Sequence, residues 1–136
     1  MRTLLRNVIC VVTVVVFCQS LALPQTQKAE PLVAVIYADW CPLCQKLKPV
    51  LARINERYKG QIRFVRLDVT SEKTAAAAKV EAHNAGLGPF FDENQERTSL
   101  VIIQDISGHE VFRAYHEYDF QHYAKVLDQL LATAQK

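Results

Sequence analysis

Two cysteines, Cys41 and Cys44, stand two residues apart in the stretch YADWCPLCQKLKP (37–49), with Trp40 before them and a helically patterned segment after. Such a pair can exchange electrons with other thiols, hold a soft metal ion, or lie redox-silent. A strand that ends at Cys41 and a helix that opens there would put the first sulfur at the helix N-terminus. Unpaired N–H groups and the helix dipole favour a thiolate at that place. Pro42 suits the first helical position, where its missing N–H has no partner to lose. Cys44, three residues on, shares that side of the helix and can attack a mixed disulfide formed at Cys41. A bridge between them would close a loop of only two residues and restrain the unfolded chain little, so stability is a poor reason for the pair. As metal ligands they are half of a closed zinc site, which leaves a soft ion such as Cu(I) as the metal alternative.

The elements that must position these sulfurs are legible in the pattern. Leu32 to Tyr37 (LVAVIY) is a continuous apolar run rich in β-branched residues, as expected of a central strand buried on both faces. From Pro42 onward Leu43, Leu47, Val50, Leu51, Ile54 and Tyr58 recur at threes and fours, one apolar helical face that Gly60 ends. Pro49 falls inside this helix and is expected to kink it. Residues 62–69 alternate as a second strand, and Thr70 or Ser71 caps a helix through Ala75–Ala78 that stops at Gly86. A loop of about a dozen residues with Pro89, Phe90 and Phe91 follows. Leu100–Gln104 and Glu110–Tyr115 form a hairpin across Asp105–Gly108, and Asp119 caps a last helix with the face Phe120, Tyr123, Leu127, Leu130 and Leu131. Strands one and two, joined through a helix, should run parallel and the last two antiparallel. The expected class is α/β: a mixed four-stranded sheet flanked by helices in the order β-α-β-α-β-β-α.

The first 22 of the 136 residues have the layout of an export signal. Arg2 and Arg6 precede an apolar run, and Ser20-Leu21-Ala22 offers small residues at a cleavage point. That run is shorter than the roughly 20 residues a membrane span needs, which makes a retained anchor the alternative. Residues 23–30 read as a short tether and 31–136 as one domain. Without the signal the charge balances at 14 basic and 14 acidic residues, which gives no footprint for nucleic acid or an anionic membrane surface. Cys10 and Cys18 leave with the signal, so Cys41 and Cys44 are the cysteines of the exported domain.

Tyr37-Ala38-Asp39-Trp40-Cys41, the later Lys48-Pro49 and the element order together resemble the thioredoxin family over essentially the whole domain. The resemblance implies that Cys41 attacks and Cys44 resolves, that Trp40 belongs to the surface meeting the partner, and that Pro42 and Leu43 help set the redox potential. It implies thiol–disulfide exchange with cysteines of other exported proteins and with a redox partner protein, in the periplasm or an equivalent oxidising compartment. It also implies no bound cofactor and no metal, and a monomer. Two positions depart from the family pattern. Val35 stands where members with reductase activity carry a buried aspartate, so an acid–base helper for the resolving thiol is missing. Thr98 stands where the family has a cis-proline beside the sulfurs; a cis bond before a non-proline costs roughly 2.5–4 kcal/mol, so Arg97–Thr98 is expected to be trans and the substrate-docking loop to differ in shape.

Blander readings stand beside these. His83, His109, His116 and His122 are expected as surface histidines, and Lys46, Lys48, Arg53, Glu56 and Arg57 as a solvated helix face. Phe90 and Phe91 are expected to pack as a lid over the alanine helix. The alternative to catalysis is a metal-binding or redox-silent domain that binds a partner through the Trp40 surface.

Overall fold

The computed structural model describes residues 29–134. The export signal or anchor assigned to 1–22, with Cys10 and Cys18, and most of the 23–30 tether lie outside the described residues. Eight elements follow one another: β1 (Leu32–Tyr37), α1 (Pro42–Arg57), β2 (Arg63–Asp68), α2 (Glu72–Asn84), α3 (Gly88–Asn94), β3 (Leu100–Gln104), β4 (Glu110–Tyr115) and α4 (Phe120–Ala134). The strands form one sheet in the order β2-β1-β3-β4. β1 runs parallel to β2, and β3 runs antiparallel to both β1 and β4. The apolar run 32–37 is therefore an inner strand, as its composition requires.

Alternate residues of the sheet feed two cores. Val33, Val35, Val101 and Ile103 meet Leu47, Leu51 and Ile54 of α1 and Phe120, Tyr123 and Leu127 of α4. On the other face Ala34, Ile36, Val65, Leu67 and Ile102 meet Ala78 and Ala82 of α2 and Leu87, Phe90 and Phe91. Each large apolar side chain so buried contributes roughly 1.5–3 kcal/mol, so packing rather than helix propensity holds these elements. Val35 sits wholly inside the first core, and an apolar side chain occupies the place of the family's aspartate.

One expectation needs correction. The segment after Gly86 is not a plain loop: Gly88–Asn94 forms α3, with Pro89 in its first turn and Asn94 Nδ2 donating to Phe90 O at 2.8 Å. Its short length gives no periodic signal, yet burial of Phe90 and Phe91 against the alanines of α2 holds it. The lid reading of the two phenylalanines stands. α1 runs through Pro49 and ends at Arg57, with Tyr58 as its cap, earlier than Gly60. The Tyr58 hydroxyl donates to Asp128 at 2.8 Å and ties the end of α1 to α4. Ser71 caps α2 through a capping box with Thr74. Among the described residues no helix is long and apolar enough to cross a membrane.

Candidate functional site

β1 and β2 run parallel, so both deliver their following loops to the same edge of the sheet, where Tyr37 pairs in register with Asp68. That edge carries the cysteines. Ala38 to Trp40 turn the chain, Cys41 N donates to Ala38 O at 3.2 Å, and Cys41 becomes the N-cap of α1. A cysteine is an unusual cap, and it caps through sulfur: Cys41 Sγ accepts from the Cys44 N–H at 3.3 Å. Pro42 takes the first helical position, exposed, and Leu43 is half-buried against Cys41 and Cys44.

Both cysteines are free thiols, and their surroundings differ. Cys41 keeps 4% of its surface in solvent and Cys44 none, so an incoming disulfide meets Cys41 first. Burial raises the Cys41 thiol. The Thr98 hydroxyl, the Cys44 side chain and the Cys44 and Leu43 backbone outweigh that, and the net shift is downward from the ordinary 9.0. For Cys44 burial dominates; with the neighbouring Cys41 sulfur and its charge it pushes the thiol up to about 11, against the pull of the Ala38 and Ser99 backbone. Cys44 Sγ has only a long contact, 4.0 Å, to Ile36 O. The pair thus holds one sulfur made more acidic at the helix end and a second made less acidic behind it.

Thr98, 57 residues from Cys41 in the chain, places its hydroxyl 3.2 Å from Cys41 Sγ and donates to it. No described peptide bond is cis, so Arg97–Thr98 is trans. The place beside Cys41 Sγ where the family pattern has a proline thus carries this hydroxyl. Among the described residues no cluster of three or more His, Cys, Asp or Glu is placed to hold a metal ion. His83, His109 and His122 lie on the surface beside Asp92, Asp105 and Glu117, away from the sulfurs. His116 is half-buried at the end of β4, stacked on Tyr115.

Trp40 is 62% exposed beside Cys41 in the chain. Its indole Nε1 donates to Thr70 O at 3.1 Å, and the Thr70 hydroxyl accepts from Asp39 N at 2.9 Å. Tyr37 donates to Asp39 at 2.8 Å, while Gln45 Nε2 reaches the Tyr37 hydroxyl and Asp39 O. These contacts clamp the Trp40 loop in an otherwise exposed place. Reading the sequence missed Thr70 and Gln45 as parts of the site. The parallel pairing of β1 and β2 was the available signal for Thr70, because it brings the two post-strand loops together. Ser99 was also missed: it has φ +74°, no exposed surface and an unpartnered hydroxyl.

The family model described as Thioredoxin matches residues 12–101. The chain is 41% identical over 44 residues to the chloroplastic thioredoxin-like protein HCF164 of Arabidopsis thaliana, covering 32% of this chain and 17% of that protein. It is 36% identical over 59 residues to a thiol:disulfide interchange protein TxlA homolog of Synechocystis, covering 36% of this chain and 33% of the relative. The chain therefore spans a third or less of the length of these curated relatives. Among solved structures, a thiol:disulfide interchange protein of Chlorobium tepidum superposes with a TM-score of 0.54 at 14% identity, over 76% of this chain and 81% of that one. A thioredoxin-like protein in its oxidised form gives 0.54 at 16% identity, over 76% and 79%. At these identities the structural likeness establishes the fold.

Proposed function

Because the chain belongs to the thioredoxin family, we propose that it is a thiol–disulfide oxidoreductase acting on cysteines of exported proteins in the periplasm or an equivalent oxidising compartment. The observation that carries the reading is the asymmetric pair: Cys41 Sγ capping α1 under two hydrogen bonds, with Cys44 sealed behind it. The Cys41 thiolate attacks one sulfur of a partner disulfide, a Cys41–partner bond forms, and the other partner sulfur leaves as thiolate. That thiolate takes the Cys44 proton. Cys44 then attacks Cys41 Sγ, the mixed disulfide breaks, and the second partner sulfur departs; the domain ends oxidised and the partner reduced by two electrons. Run backwards, the same steps oxidise a partner dithiol.

Exposed Trp40 and Pro42, with half-buried Leu43, make the surface that a partner polypeptide would cover. The thiol:disulfide interchange relative supports the reaction class. The apolar run at 8–18 behind Arg2 and Arg6 supports export, with membrane tethering as its variant. The test equilibrates the purified protein with glutathione and dithiothreitol buffers and counts thiols. A reversible two-electron transition that Cys41→Ala removes is expected. A wild-type protein whose thiols stay reduced throughout, or a Cys41→Ser variant that keeps full biological activity, would turn the reading toward a partner-binding role.

A further inference from the structure

We propose that Thr98 is a thiolate-stabilising residue: its hydroxyl donates directly to Cys41 Sγ, and this bond biases the pair toward the dithiol form, making the domain a better electron acceptor. The inference rests on the thiol–disulfide reading and adds a direction to it. The hydroxyl lies 3.2 Å from the sulfur on a side chain only 9% exposed, so water competes little for either partner. A hydroxyl has one proton, and the hydrogen bond found for Thr98 Oγ1 commits it to Cys41.

The backbone holds this placement on both sides. Arg97 N donates to Asn94 O at 2.7 Å, and Ser99 N donates to Ile36 O of the central strand at 2.8 Å. Ser99 takes a left-handed φ of +74° without being glycine and leaves its own buried hydroxyl unpartnered. Such a residue persists where its surroundings over-determine the backbone. The strained residue is the one immediately after Thr98, and the chain it bends is the chain that carries the hydroxyl to the sulfur.

The bias follows from what the sulfur becomes. As a thiolate Cys41 is a charged acceptor, and a hydrogen bond to charge is about twice as strong as a neutral one. In a disulfide the same atom is neutral and a weak acceptor. Thr98 therefore favours the state in which Cys41 carries charge, which is the reduced state. One cause must then appear in two measurements, the acidity of Cys41 and the equilibrium of the pair against glutathione.

The experiment compares wild type, Thr98→Val and Thr98→Ser in the full protein. The thiolate is followed by absorbance near 240 nm and by the pH profile of Cys41 alkylation, and the redox equilibrium against glutathione. Valine keeps the shape and removes the donor. About a tenfold loss of Cys41 thiolate at pH 7 is expected, and the equilibrium, read at a pH above the Cys41 midpoint of both proteins so that the reduced sulfur is charged in each, should move by a similar factor toward the disulfide, about 30 mV for two electrons. Serine restores the hydroxyl and should stay within about twofold of wild type on both readouts. Unchanged acidity and equilibrium in Thr98→Val would overturn the proposal, as would equal shifts in valine and serine, which would trace the effect to the lost packing. Moved acidity with an unmoved equilibrium would overturn the directional bias. Should Thr98→Val not fold, Thr98→Ala carries the same comparison. A wild type with no redox transition would defeat the thiol–disulfide reading instead, while the alkylation profile would still report on the hydrogen bond.

Discussion

The mouth of the site and its floor are built from one helix turn yet obey opposite rules. At the mouth Cys41 Sγ meets hydrogen-bond donors, the Cys44 N–H and the Thr98 hydroxyl, at the positive end of α1. Three residues further, Cys44 faces the buried chain of β1, with Ile36 O at 4.0 Å; inside that strand Val35 stands among Leu47, Leu51 and Tyr123. Donors lower one thiol and burial lifts the other. The contrast shows that two chemically identical side chains three residues apart differ in acidity because of their surroundings. It also locates the cost of a missing acid at the floor: in the proposed cycle, resolution must draw a proton from a thiol held at about 11.

The largest expected effect comes from breaking each side in turn. Cys41→Ala should abolish exchange, a loss of at least about a thousandfold, since the nucleophile is gone. Cys44→Ala should keep the first attack and accumulate a covalent partner on a non-reducing gel. A Cys44→Ala protein that captures nothing while wild type is active would reverse the assignment of roles.

A smaller effect appears in stability against pH for the reduced protein. Between pH 9 and 11 the unfolded chain has released the Cys44 proton while the folded chain keeps it, so the folded state binds more protons. Stability then falls as pH rises through that window, by up to about 1.4 kcal/mol per unit. The Tyr58 hydroxyl, raised to about 12 by burial and by Asp128, acts with the same sign at higher pH. Urea melts at pH 8 and 10 should show Cys44→Ala losing about 1 kcal/mol less than wild type on this interval; equal losses would show that the Cys44 environment is not the cause.

The smallest effect concerns Ser99, at the seam between mouth and floor. Ser99→Gly removes both the positive-φ strain and the orphan hydroxyl, and a gain of about 1 kcal/mol in thermal unfolding is expected. A loss of that size would mean that the strain and the orphan hydroxyl are not what Ser99 contributes to the folded state.

Much of this was legible because local rules agree with global ones. The unbroken apolar run 32–37 announced an inner strand, the spacing from Leu43 to Tyr58 announced α1, and Asp105 with Gly108 announced the hairpin, where Asp105 Oδ1 takes the Ser107 and His109 N–H groups. Cys41, Cys44 and Trp40 were legible from their spacing within one short stretch. What escaped depends on contacts distant in the chain. α3 spans seven residues and is held by its own Phe90 and Phe91 packing on α2, which no period reveals. The Thr70 clamp joins loops 30 residues apart. Thr98 could be flagged as a departure from a pattern, but its reach to Cys41 depends on how the 97–99 backbone turns, and the left-handed Ser99 in that turn has no signature in residue type.

Site-resolved alkylation of the reduced protein across pH, with mass spectrometry locating each label, tests the contrast between the two sulfurs most directly. The account predicts that Cys41 takes the label first, with a midpoint below the ordinary 9.0, while Cys44 stays unlabelled until the pH approaches 11. Equal labelling of the two cysteines along one common curve, or earlier labelling of Cys44, would contradict it.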